Sequence, residues 1–330
     1  MALFRCNSCS HIRVVSNNYI GKTVKCPQCK KANPIHDTVL FVESILNKYS
    51  LQQAKLSKYE EKKKDDKKTK PQTNDRYVEL KNIGNTKALT KQEQYEPILK
   101  WFKAKEIIAE VNHNAVDTTG FFDEIALSLG NQFDILSEVS NKIKYIQKKG
   151  YINVKLPLEN KNKNDIATIK KFCKELYEYS FITKYFFKKQ EQVVYLTLQN
   201  APEIINFFNG IWMEWYIFMK LLEFFKLNKI SNSCLRSLKI TYPNNDTNEL
   251  DIFFIANGVP FCIECKSGEF RPYIEKYTKL RKRLKIKKEN FILCIAGLEQ
   301  KQTQGLTSTY DLTFANEKNF LQHVKSELSE

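Results

Sequence analysis

Glycine is scarce in this chain, ten residues in 330, and none is arranged as a phosphate-cradling loop or a dinucleotide-binding fingerprint. Nucleotide chemistry organised around a glycine-rich turn therefore has no basis here. A long apolar run is lacking as well. A membrane-spanning helix needs about 20 consecutive apolar residues, and the richest stretch, Phe207 to Phe225, is interrupted by Glu214, Lys220 and Glu223. The opening Met1-Ala2-Leu3-Phe4-Arg5-Cys6 has no basic head followed by an apolar segment, so no secretory signal is expected and the chain reads as cytoplasmic. Acidic residues are in deficit. Asp plus Glu number 37 against 53 Lys plus Arg, a formal charge of +16, which favours a polyanionic partner, either nucleic acid or an anionic membrane face; with no span expected, nucleic acid is the expected partner. Hydrophobic residues at 42% and charged residues at 27% exclude wholesale disorder. At about 150 residues per domain, the length accommodates two domains and a small third.

Cysteine is in good supply: nine residues, four of them within the first thirty. In an intracellular chain these do not read as a disulfide framework. Cys6-x2-Cys9, sixteen residues, then Cys26-x2-Cys29 is a spacing that places four thiolates tetrahedrally around one Zn²⁺. Lys25, Lys30 and Lys31 flank the second knuckle and favour thiolate over thiol. Residues 1–40 are thus expected to be a zinc ribbon folded by its metal, since so short a segment cannot build a core alone. His11 and His36 could substitute as ligands, but four cysteines already fill the shell. The ribbon could meet nucleic acid, a protein partner or a second copy of the chain. Cys173, Cys234, Cys262, Cys265 and Cys294 lie among apolar neighbours and read as small core residues.

Residues 41–90 read as an amphipathic helix over 38–56 followed by a charged linker from Lys55 to Arg76, too poor in apolar residues to fold. Residues 91–200 read as an α+β middle region: helices at Glu96–Glu110, Phe121–Leu129 and Ile135–Lys149, a strand at Tyr151–Leu156, a helix at Asp165–Tyr179, and a hairpin of Phe181–Phe187 with Val193–Leu198. A helix followed by a basic hairpin suggests a winged-helix module, with Lys170, Lys171, Lys174, Lys188 and Lys189 as nucleic-acid contacts. The extra helix between strand and last helix is missing, and a structural domain with a solvated lysine face fits the same pattern. Residues 201–330 read as an α/β domain: helix Glu203–Lys226, strands Leu235–Tyr242, Glu249–Ala256 and Val259–Lys266, helix Pro272–Leu284, strand Phe291–Ala296 and a weak terminal helix.

The chemistry concentrates on one hairpin. Asn257-Gly258 is the favoured type I′ turn dipeptide, so cross-strand partners follow from Ala256 opposite Val259. Asp251 then faces Glu264, and Glu249 faces Lys266. Alternation puts these four on one face, with Leu250, Ile252, Ile263 and Cys265 on the other. Two facing carboxylates repel and call for a cation; oxygen ligation suits Mg²⁺ or Mn²⁺. Lys266, two residues along, could orient or deprotonate a water, or stabilise phosphate charge. On the preceding helix, Lys220, Glu223 and Lys226 form a solvated stripe on the side away from Glu214, which turns Glu214 toward the core with Trp215 and Phe218. A carboxylate there needs a partner, either the metal edge or Lys266. Cys262-x2-Cys265 copies the knuckle spacing, but residues three apart on a strand face opposite ways and cannot share a metal.

The helix glutamate, Asn248-Glu249-Leu250-Asp251, and Phe261-Cys262-Ile263-Glu264-Cys265-Lys266, in an α-β-β-β-α-β order, resemble the PD-(D/E)xK nuclease superfamily over residues 205–298. Gly210-Ile211-Trp212-Met213-Glu214-Trp215-Tyr216 is similar to the helix opening the nuclease half of CRISPR-ancillary effectors, although their ligand-binding domain is not visible in this sequence. The resemblance implies a restriction-endonuclease-like core, a mixed sheet flanked by helices. It also implies metal binding by Asp251 and Glu264, action of Lys266 on the attacking water, and support from Glu214. The proline that the superfamily places before the aspartate is absent. The expected activity is Mg²⁺-dependent hydrolysis of phosphodiesters, in DNA ahead of RNA. An inert nucleic-acid-binding or assembly protein is the rival.

Overall fold

The structure is a computed structural model that describes residues 2–6, 11–37, 92–112 and 120–329, in two compact units, Met1–Asn74 and Asp75–Glu330. In the first unit, β1 (Ala2–Arg5), β2 (Ile12–Val15), β3 (Thr23–Lys25) and β4 (Ala32–Asp37) form an antiparallel sheet in the order β2-β1-β4-β3. Ala2, Phe4 and Cys6 alternate into its interior and meet Cys26 and Ile35. Val15, Val24 and Cys29 pack against this cluster. Cys9, the side chain of His36, the helix expected over 38–56 and the charged linker lie outside the described residues.

The second unit is built on a sheet of six strands. Helix α1 (Gln92–Lys103) leads to β5 (Ile108–Glu110), followed by α2 (Phe121–Asn131), α3 (Phe133–Lys148), β6 (Asn153–Pro157), α4 (Lys163–Glu178), β7 (Ile182–Lys188) and β8 (Val193–Leu198). Then come α5 (Pro202–Asn206), α6 (Trp212–Leu227), β9 (Asn232–Thr241), β10 (Thr247–Ala256), β11 (Val259–Lys266), α7 (Ile274–Leu284), β12 (Phe291–Ile295), α8 (Gln300–Thr309), β13 (Thr313–Ala315) and α9 (Phe320–Glu327). The large sheet runs β13-β12-β11-β10-β9-β5, antiparallel from β5 to β11 and parallel from β11 to β13. One face packs under α6 and α9, the other under α1 and α7. Strand β12 shows the arrangement in its side chains: Ile292 and Cys294 enter the first core, Phe291, Leu293 and Ile295 the second. A strand buried on both faces carries an unbroken apolar run. The expected α/β class, a mixed sheet flanked by helices, is the one observed.

Several boundaries differ from expectation. The helix expected over Glu96–Glu110 ends at Lys103; Glu106 takes φ 60°, and Ile108–Glu110 returns as edge strand β5 beside β9. The helix expected over Glu203–Lys226 is interrupted by a π turn, Phe207–Ile211, in which Gly210 has φ 153°. The final stretch, expected as one weak helix, holds α8, β13 and α9. The boundary drawn at residue 200 runs through a continuous core: Phe122 and Phe181 of the middle region pack on Phe207 (ring centroids 5.6 and 5.2 Å) and Phe122 on Trp215 (6.1 Å). Gly130 permits the close approach of α2 and α6, since a Cβ there would stand 2.3 Å from the Tyr216 ring. The small sheet β6-β8-β7 belongs to the same core, and β6 is separated from α4 only by residues 158–162. The winged-helix likeness is therefore confined to α4 and the β7–β8 hairpin.

Candidate functional site

The β10–β11 turn has positive φ at both central residues, Asn257 (49°) and Gly258 (83°), as a type I′ turn requires. The ladder runs from Ala256–Val259 through Ile255–Pro260 to Ile252–Ile263, the register expected from the sequence, and there it stops. Beyond that point side chains take over from the backbone. The Asp251 amide donates to Glu264 Oε1 at 3.4 Å, and the Cys265 amide donates to Asp251 Oδ2 at 2.7 Å. On the other side of β10 the pairing skips from Ile252–Arg236 to Leu250–Leu238, with Ser237 at φ 52° opposite Asp251. This irregularity reverses the alternation. Leu250 packs in the α1/α7 core with Leu238 and Phe253, whereas Ile252 packs in the α6 core. The expectation that Leu250 shares a face with Ile252, Ile263 and Cys265 is corrected accordingly. Glu249, Asp251, Glu264 and Lys266 nonetheless line one cavity of about 430 Å³, closed from α7 by Lys276 and Tyr277.

Burial sets the electrostatics. Glu264 is 2% exposed, and its carboxyl is pushed well above the usual range, first by desolvation and then by the charge of Asp251. Asp251 is raised mainly by burial, against the pull of Lys266 and the Cys265 amide. Lys266 Nζ lies 4.0 Å from Asp251 Oδ2 and over the rings of Tyr273 and Tyr277, 5.9 and 5.4 Å from their centroids. Tyr277 has its own ionisation raised by burial and by the nearby Glu264 and Asp251 charges. A buried and a half-buried carboxyl group beside one lysine leave acidic oxygens that a cation could neutralise.

Glu214 turns inward from α6, as the helical pattern implies, but its partner is neither Lys266 nor the carboxylate pair. Arg236 of β9 donates from Nη1 to Glu214 Oε2 at 3.0 Å, and its guanidinium lies over the Trp215 ring at 3.8 Å. Burial, and then Asp251, push Glu214 up to about 8, with Arg236 opposing. Glu214, Asp251 and Glu264 act on one another through their charges, but the three do not all lie within 4.8 Å of one another. Arg236 was not anticipated. An arginine three residues before the exposed Lys239 and between Leu235 and Leu238, in the strand that follows the glutamate-bearing helix, is the signal that could have found it.

Among the described residues, Cys6, Cys26 and Cys29 do converge within 4.8 Å, with Cys6 Sγ 3.3 Å from Cys29 Sγ and Asn33 Nδ2 donating to Cys6 Sγ at 3.4 Å. This group could hold a metal ion; His11, packed against the Phe4 ring, does not belong to it. Cys262 and Cys265 enter opposite cores, as strand geometry requires, and share no site. Of the middle-region lysines, Lys171 pairs with Glu175 (3.7 Å), Lys174 with Glu178 (3.1 Å) and Lys188 with Glu191. Lys170 covers the Phe187 ring at 4.2 Å, and Lys189 is exposed at the hairpin tip. Three of the five are thus already neutralised on their own elements. No helix among the described residues is long and apolar enough to cross a membrane.

No protein-family model matches the sequence. The Methanocaldococcus jannaschii protein MJ1664 is similar at 30% identity over 84 residues, 24% of this chain and 37% of that protein. Two solved structures are similar in part: Can2 from Sulfobacillus thermosulfidooxidans, in complex with cyclic tetra-adenylate, at TM-score 0.49 and 13% identity, and protein VC1899 from Vibrio cholerae at TM-score 0.46 and 17% identity. These alignments cover 71% and 70% of this chain and 61% and 60% of the other. The chain therefore spans about a third of the first protein's length and three fifths of the other two.

Proposed function

We propose that the second unit is a metal-dependent phosphodiesterase acting on nucleic acid, DNA ahead of RNA, with Asp251 and Glu264 as ligands for Mg²⁺ or Mn²⁺. One observation carries this reading: where the β10–β11 ladder stops, buried Glu264 and half-buried Asp251 line one cavity with Lys266, the Asp251 amide donating to Glu264. When bound, such a cation supplies a more acidic water and neutralises charge on the phosphoryl oxygens. The chain's own residues do the rest. Asp251, on the cavity wall, is fixed by the Cys265 amide, which donates to its Oδ2. Lys266, beside the carboxylate pair and over two tyrosine rings, orients the attacking water and stabilises charge building on the phosphate. Glu214, aligned by Arg236, borders the approach to the pair.

The first unit fits a structural Zn²⁺ held by Cys6, Cys26 and Cys29 with Cys9 as the fourth ligand, a donor set of thiolates at the spacing such sites use. We read it, with the net charge of +16, as a targeting element for a polyanion. Incubating the full chain with plasmid, single-stranded DNA and RNA, each with Mg²⁺ or with EDTA, tests the activity. Cleavage that needs the divalent ion supports it. Salt-sensitive binding of all three with no cleavage in Mg²⁺ or Mn²⁺ overturns it in favour of an inert binding protein.

A further inference from the structure

A second cavity, of about 470 Å³, adjoins the first: Lys266, Lys276 and Tyr277 line both. Its far wall comes from the middle region. The π turn at Gly210 presents the Asn209 carbonyl to α3, where Lys144 Nζ donates to it at 3.1 Å, and Gly210 itself lies against Ser267, a Cβ there standing 3.0 Å from Ser267 Oγ. The chain end of β11 and the start of α6 are thereby clamped together, with Lys144 at the mouth.

The charge of this cavity is unbalanced in a specific way. Its two carboxylates are already engaged, Glu214 by Arg236 at 3.0 Å and Glu269 by Arg271, whose Nη1 reaches both oxygens at 3.0 Å. Lys144 and Lys276 form no ion pair within 4.0 Å among the described residues, although Lys276 feels the charge of Asp251 and lies over the Tyr277 ring at 5.6 Å; Lys279, one turn along α7, is paired with Glu275 at 2.6 Å. Lys144 is half-buried, and burial together with Lys148 lowers its proton affinity, a strain that an anion would relieve. At the rim Tyr273 is 46% exposed, a flat apolar surface with no ring packed on it among the described residues. Two ammonium groups outside any close ion pair and an exposed tyrosine ring, approached by Lys266 alone at 5.9 Å among the described residues, match the repeating chemistry of a nucleic-acid strand: phosphate, then base.

We propose that this cavity is a subsite for the nucleotide next to the scissile phosphodiester, its phosphate taken by Lys144 and Lys276 and its base stacked on Tyr273. The proposal rests on the phosphodiesterase reading and fixes what that reading leaves open: the strand enters between α3 and α7, so part of the substrate site belongs to the middle region.

The test measures binding, not cleavage. In the full-length chain carrying Asp251→Ala, the affinity of a fluorescein-labelled single-stranded oligodeoxynucleotide is followed by anisotropy over a salt series. Lys144→Ala with Lys276→Ala should weaken binding about ten-fold and flatten the salt slope by about one to two units, as removal of two phosphate contacts does. Lys279→Ala should change affinity less than about two-fold, because its charge is already spent on Glu275. Tyr273→Ala should weaken binding several-fold with the salt slope unchanged, and Tyr273→Phe should restore it. Thermal melts, Lys276→Ala alone and rescue by Lys144→Arg separate a lost contact from a loosened π turn. Affinity and salt slope unchanged in the double lysine variant overturn the subsite. So does a lysine-dependent affinity for inorganic phosphate that the oligonucleotide does not share. If wild-type protein fails to cleave while the lysine variants still lose affinity, the phosphodiesterase reading falls and the anion site stands.

Discussion

The carboxylates at the end of the β10–β11 ladder should make the Mg²⁺-free protein less stable as pH rises, the reverse of the usual behaviour of paired acids. In the unfolded chain Asp and Glu ionise near pH 4. In the native state Glu214 holds its proton up to about 8, and Asp251 and Glu264 are displaced in the same direction. Across that window the folded protein binds protons that the unfolded chain has released, so stability is greatest below the unfolded pKa and declines as pH rises through the folded values, about 8 for Glu214. A tenfold difference in proton affinity between the two states corresponds to about 1.4 kcal/mol. For Glu214 the rise from 4.5 to about 8 sets an upper bound of roughly 5 kcal/mol, which partial exposure and the coupling among the three acids reduce to a few. In a unit of this size a few kcal/mol is a fall of about 5–10 °C in Tm. Thermal melts from pH 5 to 8.5, in buffer depleted of Mg²⁺ but free of chelator so that the thiol cluster keeps its ion, would show it. The Asp251→Asn/Glu264→Gln double variant should lose roughly half of the fall or more, since it removes two of the three acids and the charge that acts on the third. Mg²⁺ should restore the wild type at pH 8 and leave the variant unmoved. Parallel profiles for wild type and variant would refute the electrostatic account of the site.

Further outcomes follow from the same geometry. Freshly purified protein should contain about one Zn²⁺ per chain, and Cys26→Ser with Cys29→Ser should remove it; less than half an equivalent by metal analysis would contradict the ribbon. At pH 9, above the folded value of Glu214, Arg236→Met should leave a buried carboxylate without its counter-charge and cost about 3–5 kcal/mol in chemical denaturation, while Arg236→Lys, which keeps the charge but loses the stack on Trp215, should cost less. Lys266→Ala should abolish cleavage yet retain Mg²⁺ stabilisation in thermal melts, because its place is beside the ligands rather than among them. A chain beginning near Gly84 should bind nucleic acid less tightly than the full chain at the same salt; equal affinity would remove the ribbon and linker from targeting.

Much of the site was legible in the sequence because its signals are local. Asn257-Gly258 dictates a two-residue turn, the turn dictates the register, and period-two alternation then aims Asp251, Glu264 and Lys266. The ladder stops at Ile252–Ile263, short of the expected Asp251–Glu264 and Glu249–Lys266 pairs, and the alternation slips at Leu250, where Ser237 enters the left-handed region; nothing in the composition of β9 announces that conformation. Glu214 was found by the 3.6-residue period of α6, but its partner lies across the sheet, and long-range pairings such as Arg236–Glu214 leave no periodic trace. Strands β5 and β13 span three residues each, too few for alternation to show. The continuity of the core across residue 200 depends on Phe122, Phe181 and Phe207 meeting in space. Lys144 was hidden for the same reason: its role comes from where α3 lies relative to the π turn at Gly210.

The most direct test is cleavage of plasmid and single-stranded DNA and of RNA by wild-type and Asp251→Ala protein, side by side in Mg²⁺. Wild-type protein should cut at least one of the three and stop when EDTA is added, and the variant should bind with similar affinity and cut none. Equal cleavage by both proteins, or none by either in Mg²⁺ or Mn²⁺, would contradict the assignment of Asp251, Glu264 and Lys266 to phosphodiester hydrolysis.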